Sequence, residues 1–208
     1  MTIGALEQPA QGSLVVLHGW GANSEDAAHF TGMLPLAKVD RFLPEGPFKH
    51  PYSDAGRMWY GLDNMGNFQS DLSRQADLQT SRQLLTDWLL ALPGKTGIPL
   101  ERTILGGFSQ GGAMTIEVGL TLPLAGLMIL SGYLHKSLAD IPKPPMPILQ
   151  IHGQQDMVVP IAAARKTRDA LLDLGANLTY QEFPGLGHEI SMTVLEQMQG
   201  FVTELLEP

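Results

Sequence analysis

The stretch Thr103-Ile104-Leu105-Gly106-Gly107-Phe108-Ser109-Gln110-Gly111-Gly112-Ala113-Met114 decides how the chain is read. A short apolar run at 103–105 leads directly into Gly107-Phe108-Ser109-Gln110-Gly111, and Met114, Val118 and Thr121 then recur at helical spacing. G-x-S-x-G at a strand-to-helix turn holds its serine on a sharp, strained corner. The flanking glycines relieve crowding there and leave the hydroxyl exposed. The plain alternative for Ser109 is an N-cap on the helix that follows.

Outward from this turn, further apolar runs lie at 14–17, 124–130 and 147–151, with weaker ones at 177–183 and 39–43. Helical stripes separate most of them. One contains Leu78, Leu85, Leu89 and Leu92. A second, with Ile161, Ala164, Leu171 and Leu174, follows Pro160 and ends at Gly175, where a C-terminal glycine belongs. The last contains Leu195, Met198, Phe201, Val202 and Leu205, with Ser191 as its expected N-cap. Continuous apolar strands alternating with helices predict an α/β fold: a mostly parallel sheet with helices on both faces. There is no repeat, charge block or interdomain linker, so a single domain over 1–208 is expected. The irregular stretch 44–70, rich in Pro, Gly and Asn, is expected to cover part of the site at the sheet's carboxyl edge rather than to join the core.

A serine hydroxyl needs a base beside it. Around a strand–turn–helix nucleophile the chain order is serine, acid, histidine, which leaves His135, His152 and His188. His188 lies in Pro184-Gly185-Leu186-Gly187-His188, a turn between the last strand and the last helix, and is the expected base. His152 ends a buried strand and reads as structural. His135 lies in a polar segment and reads as a solvated surface residue. Among the acids, Asp156 directly follows an apolar strand. Asp140 has no strand to fix it, and Asp169 and Asp173 sit on a helix face. Asp156 is therefore the expected partner, orienting the imidazole and stabilising the imidazolium. In Leu17-His18-Gly19-Trp20-Gly21, glycines on both sides let the Trp20 N–H turn inward. With the N–H of Gln110 it would hold the oxyanion of a tetrahedral intermediate. Trp20, Trp59, Tyr133 and Val158 are the expected lining of the acyl and alcohol pocket, with Met58 and Met157 near it.

Composition narrows the remaining classes. The 208 residues contain no cysteine, which removes disulfides and thiolate chemistry. A net charge of −8 without a basic cluster argues against nucleic acid. No apolar run reaches the roughly 18–20 residues of a membrane span. The first thirteen residues lack a signal-peptide pattern, so a cytoplasmic location is expected. Gly94-Lys95-Thr96 lacks the first glycine of a phosphate loop, and Met192 stands where a metalloprotease motif after His188-Glu189 needs histidine. Neither a metal nor a cofactor is expected.

The strings Leu17-His18-Gly19-Trp20-Gly21, Gly107-Phe108-Ser109-Gln110-Gly111-Gly112-Ala113, Gly153-Gln154-Gln155-Asp156 and Gly187-His188-Glu189-Ile190 together resemble the bacterial carboxylesterase / acyl-protein thioesterase group of α/β hydrolases. The resemblance runs from about Leu14 to Leu206. It implies an α/β-hydrolase fold without a large cap, Ser109 as nucleophile, Asp156 as acid, His188 as base, and Trp20 and Gln110 as oxyanion donors. Trp20 departs from the leucine of many members, and Gly61 follows Trp59-Tyr60 where members often have aspartate. Dienelactone hydrolases share the fold but use cysteine, absent here. The expected activity is hydrolysis of a small or lipid-like carboxylic ester. The alternatives are an acyl-protein thioesterase or lysophospholipase, and a binding protein without catalysis. Oligomeric state, a homodimer included, stays open.

Overall fold

The computed structural model describes residues 1–62 and 71–207. Its main sheet contains β1 (Thr2–Ile3), β2 (Gly12–Leu17), β3 (Val39–Phe42), β6 (Thr103–Phe108), β7 (Gly126–Leu130), β8 (Pro147–Gly153) and β9 (Asn177–Phe183). Between β3 and β6 the chain forms a separate hairpin of β4 (Phe48–Lys49) and β5 (Arg57–Met58). The main sheet runs β1-β3-β2-β6-β7-β8-β9. All its pairs are parallel except β1 with β3. This is the mostly parallel sheet expected from the apolar runs, in the α/β-hydrolase arrangement that the resemblance implies, and no large cap is present among the described residues.

The helices are α1 (Ser24–Thr31), α2 (Ala76–Thr96), α3 (Gln110–Gly119), α4 (Ile161–Asp173) and α5 (Met192–Leu206). Strand alternation divides the core into two layers. Val15, Leu17, Leu105, Leu127, Ile129 and Ile148 point to one face, where they meet Leu78, Leu85, Leu89 and Leu92 of α2 and Met114 and Val118 of α3. Leu14, Val16, Ile104, Met128, Leu149 and Ile151 point to the other, against Ala27 of α1 and Leu195, Met198 and Val202 of α5. Most residues of the helical stripes read from sequence lie on the inward faces, but Thr121 falls past the end of α3 and is exposed. Ser191 caps α5, its hydroxyl accepting from the Val194 N–H, and Gly175 takes the left-handed conformation just past α4 at φ 74°. Helix α1 has a full capping box. The Asn23 side chain accepts from the N–H groups of Glu25 and Asp26, and the Asp26 carboxylate accepts from the Asn23 N–H.

Chain order reverses between β2 and β6: from β2 the chain moves outward to β3, and from β6 it moves the other way to β7, β8 and β9. The loops leaving β2 and β6 therefore diverge at the carboxyl edge, opening the crevice where α/β sheets bind ligands. The first carries His18–Gly21 and the second carries Ser109.

Before they diverge, glycines let β6, the start of α3 and the end of β2 pack main chain to main chain. A Cβ at Gly111 would lie 2.2 Å from the Leu17 carbonyl oxygen, and one at Gly107 would lie 2.3 Å from the Gly111 carbonyl carbon. Both obstacles are backbone and cannot swing away. Gly111→Ala should therefore destabilise the protein by at least the ~1–3 kcal/mol of an overpacked core. Gly200→Ala is the internal contrast: this exposed helical glycine has nothing within 4 Å of a built Cβ, and the change should stabilise by ~0.5–1 kcal/mol. Urea unfolding of both variants checks the pair, and equal effects would contradict the close approach.

Candidate active site

The turn after β6 puts Ser109 at φ 56° and ψ −117°, a backbone conformation that few non-glycine residues adopt. Its N–H is held by the Leu130 carbonyl at 2.8 Å. Its side chain makes no capping bond to α3, so the plain N-cap reading does not describe it. A Cβ at Gly19 would lie 3.4 Å from the Ser109 Cβ, so the loop after β2 passes directly beside the serine.

Asp156 and His188 come from the loops after β8 and β9. His188 Nδ1 donates to Asp156 Oδ2 at 2.7 Å. With the proton on Nδ1, the neutral ring presents Nε2 as an acceptor. The other carboxylate oxygen, Oδ1, accepts from the N–H groups of Val158 and Val159 at 2.9 and 2.8 Å. Burial pushes the Asp156 carboxyl up, but the bond from His188 and the two backbone donors outweigh it, and the net effect is a lowered pKa. The imidazole of His188 also packs on Phe108, the residue before the serine, with ring centroids 4.7 Å apart. The structure thus gathers Ser109, His188 and Asp156 at one end of the sheet. Phe108 is a contact that sequence reasoning passed over, although it occupies the variable position ahead of the serine.

Two other histidines are buried beside this group. His152 donates from Nε2 to the Val159 carbonyl at 2.8 Å, with Asp156 Oδ2 3.4 Å away. His18 donates from Nδ1 to the Gly19 carbonyl at 2.8 Å and accepts the Gly46 N–H on Nε2 at 2.9 Å. Burial lowers both pKa values, the surrounding hydrogen bonds and carboxylates opposing it only in part.

The expectation for the 44–70 loop needs correction. Residues 63–70 lie outside the described residues, but Trp59 and Tyr60 join the core instead of covering it. Trp59 and Tyr133, expected to line the pocket, are 2% and 3% exposed. The Trp59 indole N–H donates to the His18 carbonyl at 3.0 Å. Its main-chain N–H donates to Gln110 Oε1 at 2.9 Å, and Gln110 Nε2 donates to the Tyr60 carbonyl at 2.8 Å. Tyr133 packs with Ala113 and Val159, between the helix behind the serine and the Asp156 loop. Val158 and Met157, directly after Asp156, are 51% and 92% exposed. Trp20 is half-buried, its indole meeting His50 edge to face with centroids 4.1 Å apart.

His135 is also corrected. It is buried rather than solvated, and its Nε2 lies 2.7 Å from the Tyr60 hydroxyl, which in turn lies 2.6 Å from the Tyr133 hydroxyl. Its Nδ1 faces Glu117 at 3.4 Å, and Lys136 and Arg82 also pair with that carboxylate. Burial pushes the Tyr133 phenol up to about 12, so it stays protonated.

The chain matches the phospholipase/carboxylesterase family over residues 1–206 and belongs to it. It is 34% identical to an acyl-protein thioesterase 1 of Neurospora crassa, the match covering 91% of this chain and 82% of that one. It is 29% identical to an acyl-protein thioesterase 1 of Gibberella zeae, covering 92% and 86%. Among solved structures, esterase PE8 superposes with a TM-score of 0.90 at 29% identity, covering 99% of this chain and 98% of that one. The protein is a serine hydrolase. Among the described residues, no helix is long and apolar enough to cross a membrane.

The buried histidines make stability depend on pH in a definite direction. For His18 and His152 the folded pKa lies below the ordinary value near 6.5. Between the two values the unfolded chain binds protons that the folded chain refuses, so stability falls as pH drops below about 6.5. The Asp156 contribution is fully present above its ordinary value near 3.9 and is lost as pH falls through its lowered folded value. Urea midpoints should therefore decline from pH 7 to 5 and again below pH 4. His18→Gln, which has no group titrating in this range, should flatten the first decline. Parallel curves for variant and wild type would contradict it.

Proposed function

We propose that the chain, as a single domain over 1–208, is a serine carboxylesterase working through an acyl-serine intermediate. The observation that carries this reading is the 2.7 Å bond from His188 to Asp156, with His188 packed on the residue that precedes the strained Ser109. Ser109 Oγ attacks the acyl carbon while its proton moves to His188 Nε2. The carbonyl oxygen becomes an oxyanion that takes hydrogen bonds from the main-chain N–H groups of Trp20 and Gln110. When the tetrahedral intermediate collapses, the ester C–O bond breaks and His188 returns the proton to the leaving alcohol. A water molecule, deprotonated by the same imidazole, then attacks the acyl-serine and releases the acid. Asp156 holds the ring in the required tautomer and stays ionised throughout.

The substrate is a small or lipid-like ester. Acyl thioesters are the second reading, favoured by the relatives named acyl-protein thioesterase. The same steps cleave a thioester, with a thiol leaving instead of an alcohol. The exposed side chains of Met157 and Val158, directly after Asp156, would give either substrate an apolar surface to approach along.

Ser109→Ala should lower kcat by about 10⁵–10⁶-fold, the scale of losing a triad nucleophile. Esters of graded acyl length assayed beside a matched acyl thioester then decide the substrate. A purified, folded Ser109→Ala protein keeping more than about a tenth of wild-type turnover would overturn the mechanism.

A further inference from the structure

The two main-chain donors of the proposed oxyanion hole lie on separate loops, one after β2 and one after β6. Two donors grip one oxygen only if their separation is held to a fraction of an ångström, and misplacement by about 1 Å costs ~10²-fold in rate. Something must therefore tie the two loops together on the side away from the substrate. Contact between Gly111 and Leu17 sets how closely the loops approach, but it involves no directional bond that would fix where each N–H points.

A directional tie exists in residues 57–60. The indole N–H of Trp59 donates to the His18 carbonyl, two residues before the Trp20 donor. The main chain of Trp59 and Tyr60 is bridged by the side-chain amide of Gln110, which accepts from one and donates to the other. Gln110 is 1% exposed, so neither bond is shared with solvent. Two residues before Trp59, Arg57 and the first loop exchange two more bonds: the Gly21 N–H donates to the Arg57 carbonyl and the Arg57 N–H donates to the Ala22 carbonyl, each at 2.9 Å. The far side of the segment is anchored independently. The Ser81 hydroxyl of α2 donates to the Trp59 carbonyl, and the Tyr60 phenol bonds with Tyr133 and His135.

We propose that Trp59 and the side chain of Gln110 are positioning residues, which brace the loop after β2 against the loop after β6 so that the N–H groups of Trp20 and Gln110 converge on one oxygen. This deepens the serine-hydrolase reading above and rests on it. Gln110 then has two jobs: its main chain donates to the oxyanion and its side chain sets where that donor stands. Trp59, although it touches no substrate, governs the transition state through the His18 carbonyl. The brace acts on the oxyanion and not on the ground-state ester, so its loss belongs in kcat and not in KM.

Trp59→Phe keeps an aromatic ring and removes the N–H to His18. Gln110→Met keeps the side-chain length, removes both bonds to the brace and leaves the main-chain N–H in place. Each purified variant is assayed on a soluble acetate ester, titrated with an arylboronic acid that forms a tetrahedral adduct on the serine, and melted. The proposal expects kcat to fall by about 10–100-fold in each variant with KM within about twofold of wild type. The boronic-acid inhibition constant should rise in proportion to the loss of kcat. The double variant should lose less than the product of the single losses, because both changes release the same brace. A lowered melting temperature with kcat and boronic-acid affinity within about twofold of wild type leaves only a packing role and overturns the proposal. If Trp59→Phe does not fold, Gln110→Met decides alone, and Gln110→Leu, which likewise removes both bonds and keeps the main-chain N–H, replaces it with the same expected losses should it also unfold. A wild-type protein that neither turns over the ester nor binds the boronic acid means that the serine-hydrolase reading has failed, and the brace with it.

Discussion

The backbone of Ser109, held at φ 56°, is the constraint on which the site depends. A non-glycine residue there costs of order 1–3 kcal/mol and persists only where its surroundings over-determine it. Here the surroundings are a six-residue buried strand before the serine, a ten-residue helix after it, and main-chain contacts with no room for a Cβ at Gly107 or Gly111. The Ser109 N–H is spent on the Leu130 carbonyl of the neighbouring strand. The corner cannot relax without disturbing the centre of the sheet.

The rest of the site follows from placing polar groups at the carboxyl ends of buried strands. Each such group must find a partner or lose the free energy of desolvation. Asp156 meets that requirement with two main-chain donors and one imidazole. His18 meets it with the Gly19 carbonyl and the Gly46 N–H. On helix α3 the same requirement falls on Glu117, which meets it with His135, Lys136 and Arg82; they outweigh its burial and hold its pKa down. The cluster around the proposed oxyanion hole is thus joined to a second buried cluster through Tyr60, whose carbonyl faces Gln110 and whose hydroxyl faces His135. A perturbation at His135 has a short covalent and hydrogen-bonded route to the serine turn.

The parts legible in the sequence were those whose signals are local. β6, the turn at Ser109 and α3 are contiguous, Asp156 stands just past the apolar strand β8, and His188 follows β9 in a turn containing glycine. Trp59 and His135 were misread because their burial is decided by distant partners. Trp59 bonds to His18 and Gln110, 41 and 51 positions away, and His135 to Tyr60, 75 positions away. Neighbouring glycines, prolines or lysines gave no hint of that. Helix α1 had a readable start in Asn23 and Asp26, whose spacing matches a capping box. Strands β1, β4 and β5 have two residues each, too few for any alternation to show.

The central claim is that Ser109 is a nucleophile activated by His188 and Asp156. Intact-mass and peptide mass spectrometry after treatment with a fluorophosphonate tests it most directly, because the reagent captures only an activated serine. One adduct per chain is predicted, mapped to the peptide containing Ser109, absent in Ser109→Ala and formed far more slowly in Asp156→Asn. An unmodified wild-type protein, or an adduct that survives in Ser109→Ala, would contradict it.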